Sequence, residues 1–373
     1  MTSEQYSRRQ LMSLGAAAVL SPALRLYPAA SAAVAGRASW LSALACLPVL
    51  FLYAFLLCRF ADKRREGEGL GELTLRALGD KFGRAVLGLF GLWLLLYASF
   101  VLRAAAERFT VALFPRSRPA FFVVTLGLSA ALAALCSPRA LARMARMLFP
   151  VLLGVILLLL LFSIRQIDAE NLLPLTAEDA LPVLRGALPV GEVLLLGLYA
   201  PAFLLGGAKK RTGGFGALAL WLTGLCLLLS ALSAAVIGCF GAEITAKLTL
   251  PFFTLVRNLV FFRTLERMEA LVVALWFFPD FLLASLALLA SQHCLRLLAG
   301  HTPAYQGEGL LTLRNGRWVI WLCGTLAIVL GLFLAPTDNA LALWSERIIP
   351  TGQYLAAGLL LIIYMAGTVK KNL

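Results

Sequence analysis

Apolar runs of roughly 18 to 25 residues recur from one end of this chain to the other, each long enough to cross a hydrocarbon core of about 30 Å as an α-helix. Inside lipid every backbone N–H and C=O must find its partner within the segment, so the runs predict helices and little else. Spans are expected near 10–35, 40–60, 85–113, 119–136, 146–164, 187–207, 216–240, 265–293, 318–335 and 348–368. The expected fold class is an all-α integral membrane protein of ten transmembrane helices in one polytopic domain, 1–373.

The balance of residues agrees. Hydrophobic side chains make up 61% of the chain and charged ones 14%, where a soluble domain carries about 25% charged. The net charge of +14 does not point to nucleic acid, because Lys and Arg fall in short clusters between the runs. With ten spans, one side holds Arg8, Arg9, the basic residues from Arg59 to Arg84, Arg139, Arg143, Arg146, Lys209, Lys210, Arg211, Arg296, Arg314, Arg317, Lys370 and Lys371. That is twenty basic residues against twelve opposite, which predicts both termini on the cytoplasmic side.

The start of the chain mimics a twin-arginine signal: Ser7-Arg8-Arg9-Gln10-Leu11, an apolar stretch, then the small residues Ala29 to Ala33. With nine further spans behind it, the segment is expected to stay as the first helix. The cysteines (Cys46, Cys58, Cys136, Cys226, Cys239, Cys294, Cys323) are scattered, form no CxxC pair and are expected to act as small buried hydrophobes. Two connections are long. The inner one, 62–81, opens with a charge run and continues through Leu70, Leu73, Leu75 and Leu78 as a short amphipathic helix at the interface. The outer one, 165–186, is acidic; a second outer stretch, 243–263, is too polar to span and is expected to cap the outer face as helices.

Helix breakers interrupt two spans at corresponding positions of the two halves. The first carries Pro22 and Pro28; the sixth carries Pro189, Gly191, Gly197, Pro201 and Gly206. Such pairing predicts an inverted repeat of five plus five spans, about 10–164 and 187–368, in which discontinuous helices 1 and 6 expose backbone to a ligand at mid-membrane. Ordinary kinks packed in protein are the alternative.

Charges within the apolar spans cost about 2.5–3.5 kcal/mol each on insertion scales and are expected to face the bundle interior. Arg25 lies between Pro22 and Pro28, Glu192 follows Gly191, and Asp280 follows Pro279. In a five-plus-five repeat, spans one, six and eight surround the central site. The candidate ligand-binding set is therefore Ser21, Pro22, Ala23, Leu24, Arg25, Gly191, Glu192, Gly197 and Asp280, with Arg25 either paired to Glu192 or Asp280 or offering its fork to a ligand carboxylate. A purely structural ion pair is the other reading.

Arg103 and Glu107 stand four residues apart on span three and share one helix face near the outer leaflet. Glu266, Arg267 and Glu269 open span eight in the same zone, and both groups are expected to be structural ion pairs. Trp93, Trp221, Trp276, Trp318 and Trp344 suit interface anchors or packing. The two histidines, His293 and His301, lie at or beyond the inner end of span eight; no Walker loop, HExxH or Ser/His/Asp set is present. No enzyme, cofactor or metal is expected.

Several stretches resemble the spore germination B-subunit family, a branch of the amino acid, polyamine and organocation transporter superfamily. They are Arg9-Gln10-Leu11, Ala35-Gly36-Arg37 with Trp40, Ala98-Ser99-Phe100 with Arg103 and Glu107, Asp168 to Pro174, Gly191-Glu192-Val193, Glu243 to Pro251, Leu265 to Trp276, and Pro336-Thr337-Asp338-Asn339. The resemblance implies a leucine-transporter fold in the inner spore membrane, assembled with an A subunit and a lipoprotein C subunit, which binds a small-molecule germinant such as an amino acid and signals to its partners. The family's interrupted first helix falls on Leu20 to Pro28, where many members have glycines and this chain has Ser21, Pro22 and Ala23. A proton- or cation-coupled amino acid transporter and a non-binding scaffold subunit are the competing functions.

Overall fold

The computed structural model describes residues 6–209, 214–258, 268–300 and 317–369, and all its regular elements are helical. The chain opens with α1 (Arg8–Ala35), capped by Ser7, whose hydroxyl accepts from the Gln10 backbone while the Gln10 side chain accepts from the Ser7 N–H. Gly36 then takes a positive φ of 53°, and the chain turns through a 3-10 segment, Gly36–Leu41, and α2 (Ser42–Ala45) into α3 (Leu47–Lys63). Tyr27 fixes the reversal, since its hydroxyl donates to Ser39 O at 3.0 Å and accepts from Ala43 N at 3.3 Å. Arg8 and Asp62 consequently meet at 3.5 Å, so this stretch is a hairpin.

After α4 (Leu70–Leu78) come α5 (Asp80–Ala112), α6 (Pro119–Leu135) and α7 (Pro138–Ser163). Three short 3-10 turns in the outer connection lead to α8 (Ala180–Ala202) and α9 (Phe215–Phe240). The short helices α10 (Ala242–Lys247) and α11 (Pro251–Asn258) precede α12 (Met268–Leu298), α13 (Arg317–Phe333), α14 (Asp338–Leu343) and α15 (Ile349–Val369). Among the described residues seven helical stretches are long and apolar enough to cross a membrane, the first being the 56-residue hairpin, and Pro119–Leu135 and Trp318–Phe333 are shorter apolar helices. The centre is formed by α1 against α8 and α12 against α5. Burial falls from 83% in the apolar part of α12 to 22% in that of α7, which leaves α7 a rim helix facing lipid.

Three expectations change. The first and sixth spans are not discontinuous: α1 is α-helical from Arg8 to Ala35 across Pro22 and Pro28, and α8 from Ala180 to Ala202 across Pro189. Each proline removes a single N–H, and within a packed bundle neighbouring groups compensate. The carbonyl that Pro201 leaves without a helical donor, Gly197 O, lies against the backbone of Gly15, where any Cβ would collide with it. At Gly197 a Cβ would meet Val19 at 2.8 Å, so this is a glycine-to-glycine crossing that lets the two helices touch. The sixth span also ends earlier, at Ala202, with Gly206 in a 3-10 turn, Leu205–Gly207. Finally, α4 does not tether the chain to lipid: Leu70, Leu73 and Ala77 are fully buried against the bundle, and Gly71 sits under Leu297 and His293.

The two ends of the bundle differ in chemistry. At the end where α1 begins, Arg64 is 2% exposed and donates to Leu205 O and, at 2.5 Å, to Ala208 O. Tyr6 pairs through its backbone with Gly207 and Lys209, and Glu72 meets His293 at 3.3 Å. This basic end is sealed by strands of chain from three connections. At the opposite end α10 and α11 pack on α1, and Phe252 of α11 lies 5.2 Å from Trp276 of α12. Within the stretch 243–263 the described part is helical over α10 and α11, and residues 259–263 lie outside the described residues.

Candidate functional site

Below the α11 cap, α1, α5 and α12 enclose a cavity of about 40 Å³, lined by Leu24, Arg25, Arg108, Phe109, Phe252, Trp276 and Asp280. On the scale where one water needs about 10–15 Å³, it has room for about three or four waters. Its wall is apolar and aromatic apart from three charges. Two of these are paired: Arg108 forms an ion pair with Asp280 through one Nη and donates to Ser21 Oγ through the other. Side-chain exposures of 11% and 4% make this a buried pair tying α5 to α12, with α1 held by the same guanidinium.

The third charge, Arg25, has no hydrogen-bond acceptor among the described residues. Its Nη2 is buried without a partner, and its guanidinium lies 5.2 Å from the centre of the Phe100 ring. Arg108 repels it, while Glu107 and Asp280 attract it. Across the α1–α8 contact stands Glu192, 2% exposed, with Oε2 also unpartnered and within the electrostatic reach of Arg25. The two make no ion pair with each other. A buried charge without hydrogen bonds costs several kcal/mol, about as much as removing one member of a buried pair. Arg25 on α1 and Glu192 on α8 are thus two buried groups of complementary chemistry, each with an unpartnered atom, and the interval between them is called the gap below.

Polar side chains of α5, α8 and α15 lie on the same side of the bundle as Glu192. Tyr354 donates to Leu188 O at 2.6 Å, one turn from Glu192. Tyr199 donates to Gln353 Oε1 at 2.6 Å and accepts from Trp93 Nε1 at 3.1 Å. Thus α5, α8 and α15 are joined by a buried network beside the gap.

Of the residues singled out from the sequence, Ser21, Leu24, Arg25 and Asp280 stand together around the cavity, and Pro22 and Ala23 are buried next to them on α1. Glu192 is on the α8 side of the gap, while Gly191 packs on Cys46, whose Sγ would lie 3.1 Å from a Cβ there. Gly197 is not brought there; it belongs to the Gly15 crossing and the basic-end clefts. Asp280 pairs with Arg108 rather than Arg25, and Arg25 pairs with neither predicted carboxylate. Arg103 donates from Nε to Ala335 O at 2.8 Å. Glu266 and Arg267, and the side chain of Glu269, lie outside the described residues, as does His301. Trp93 and Trp276 face the interior rather than the interface, and Trp221 lies 5.0 Å from Phe149. Arg108 is a residue of the candidate site that its sequence context does not mark out. It follows Glu107 directly, and one residue on a helix turns 100° away from the Arg103 and Glu107 face, toward α1 and α12.

A family model described as spore germination protein matches residues 6–300. The chain belongs to that family. No curated protein matches its sequence significantly. Among solved structures, this spore germination protein is similar to Mhp1, a nucleobase-cation-symport-1 family transporter in a closed conformation with bromovinylhydantoin bound, at TM-score 0.63 and 12% identity over 95% of this chain and 77% of that one. It is similar to MhsT in complex with L-phenylalanine, at TM-score 0.60 and 15% identity over 98% and 100%. A Na+-coupled sialic acid symporter in a substrate-bound outward-open state gives TM-score 0.58 and 12% identity over 92% and 78%. At these identities the likeness is one of fold, and the fold is that of leucine-transporter-type carriers, so the family member is an integral membrane protein with a permease-like architecture.

Proposed function

We propose that this spore germination protein is the germinant-sensing membrane subunit of a spore germination receptor, and that it holds a zwitterionic amino acid between Arg25 and Glu192. One observation carries the reading: a buried guanidinium and a buried carboxyl group, on the paired helices α1 and α8, each keep an unpartnered polar atom and make no ion pair with each other. A ligand carboxylate satisfies the Arg25 fork, and its ammonium satisfies Glu192. Because α1 and α8 are continuous, side chains rather than unwound backbone do the gripping. The aromatic wall of Phe109, Phe252 and Trp276 receives the side chain, and the small cavity favours a small amino acid unless α11 moves.

Drawing Arg25 and Glu192 together pulls α1 against α8 and loads the network through Tyr199 and Gln353 to α15, from which the A and C subunits would receive the signal. Counting the opening hairpin twice and adding the two shorter apolar helices makes ten crossings, a number that supports a five-plus-five arrangement. In the inner spore membrane the basic end would face the core, with both termini there. An ion-coupled amino acid carrier is the second reading, favoured by the symporters among the structural neighbours.

Titration of the purified full-length chain with a panel of labelled amino acids tests the proposal. Binding is expected to one or a few of them, weakened at least tenfold by Arg25→Gln and by Glu192→Gln with unfolding temperature preserved. Equal affinity in both variants would sink the assignment of the site. Uptake into vesicles by the chain alone would favour the carrier, and failure of every amino acid to bind would leave the scaffold role.

A further inference from the structure

Arg139, Arg143 and Arg146 occupy positions i, i+4 and i+7 of α7, within about 60° of one helix face. Arg143 and Arg146 are exposed and Arg139 half-buried, and none of the three makes a hydrogen bond or ion pair with any described residue. The first turn of α7 holds no acid to offset them. Arg139, in the first turn, also meets the positive end of the helix dipole, and three like charges on one face repel one another until an external anion joins them.

The face that carries them decides which anion. Continuing down the same line of α7, Pro150, Leu157 and Leu161 are exposed, with Leu157 51% and Leu161 62% open, and Gly154 has nothing near it. Met147, just past Arg146, is 76% exposed. From Met147 to Ser163 the helix rises about 24 Å, most of a hydrocarbon core of about 30 Å. The apolar stretch is thus the lipid-facing surface of a rim helix, and the arginines stand where that surface leaves the acyl chains. Phe149 contacts Trp221 at the start of α9, and a side chain at Gly214, just before α9, would begin 3.1 Å from Arg8 Nη1, so the stripe lies at the basic end.

We infer that Arg139, Arg143 and Arg146 form a binding site for the phosphate-bearing headgroup of anionic phospholipids, whose tails lie along Leu157 and Leu161. Guanidinium forks match phosphate oxygens in a bidentate way, and neighbouring forks along the stripe can share one headgroup or grip two. The site is separate from the Arg25 and Glu192 gap and does not depend on it.

Native mass spectrometry of the full chain released from nanodiscs containing phosphatidylglycerol and phosphatidylcholine tests this. The wild type is expected to retain phosphatidylglycerol about fivefold over phosphatidylcholine, less so at high ionic strength. The triple variant Arg139→Gln, Arg143→Gln, Arg146→Gln is expected to lose the preference while its unfolding temperature in pure phosphatidylcholine stays unchanged. Each single Gln variant loses part of it, which keeps the test open if the triple variant folds poorly. Quenching of Trp221 by brominated phosphatidylglycerol, isolated by subtracting Trp221→Phe, should fall in parallel. Equal retention of both lipids by the wild type, or an unchanged preference in the Gln variants, would overturn the inference. So would loss of an acidic partner protein from the Gln variant with its lipid adducts intact, since the stripe would then serve a protein.

Discussion

Arg108 and Asp280, 172 residues apart in the chain, form a buried ion pair that walls the cavity beneath α11, and Arg25 stands beside it with no acceptor of its own. The pair fixes the geometry in which Arg25 stays available. A single guanidinium satisfies both Asp280 and Ser21, so neither competes for Arg25.

Removing one member of that pair leaves a buried charge alone. Arg108→Met and Asp280→Leu are each expected to cost about 3–5 kcal/mol, whereas the two replacements together are expected to cost much less than their sum. Thermal unfolding of the four proteins in one detergent closes the cycle; additive losses would show that the two residues are not coupled.

The Gly15 and Gly197 crossing has no room for a methyl group, and what it would strike is backbone. Gly15→Ala is therefore expected to destabilise by about 1–3 kcal/mol. Gly154→Ala, on the open face of α7, should be neutral or stabilise by up to about 1 kcal/mol through helix propensity. Unfolding temperatures in matched lipid distinguish the two.

Arg64 is among the largest fully buried side chains of the described residues and holds the carbonyls that follow α8. Arg64→Ala is expected to cost about 3 kcal/mol and to loosen the basic end. Faster maleimide labelling of Cys58, which lines the adjoining cleft, in a Cys136→Ser background reports that loosening. Arg64→Lys should not rescue it, because one ammonium lacks the fork that reaches both carbonyls.

At the same end Glu72 is pulled two ways. Burial raises its carboxyl, but the charge and hydrogen bond of His293, with the backbone N–H of Gly69, outweigh burial and hold it below the usual carboxylate range near 4.5. A lowered folded-state value stabilises above the unfolded value and is lost as pH falls through the folded one. The unfolding-temperature gap between wild type and Glu72→Gln should be full at neutral pH and close in acid, below about pH 4.5; a gap independent of pH would remove the ion pair from the account.

The membrane class and the positions of the long helices were legible in the residues, because lipid demands unbroken apolar length and that demand is local. Arg25, Glu192 and Asp280 stood out for the same reason: a charge in such a stretch is expensive wherever it ends up. Their partners were not legible. Arg108 lies beside Glu107 near a span end, where charge is common, and only the turn of α5 against α1 and α12 gives it Asp280 and Ser21. The prolines of α1 and α8 were misleading, since a missing N–H breaks a helix only if nothing nearby accommodates the freed carbonyl. Whether Gly15 lies against Gly197 is settled by packing between residues 182 apart, and a local pattern carries no information about that contact.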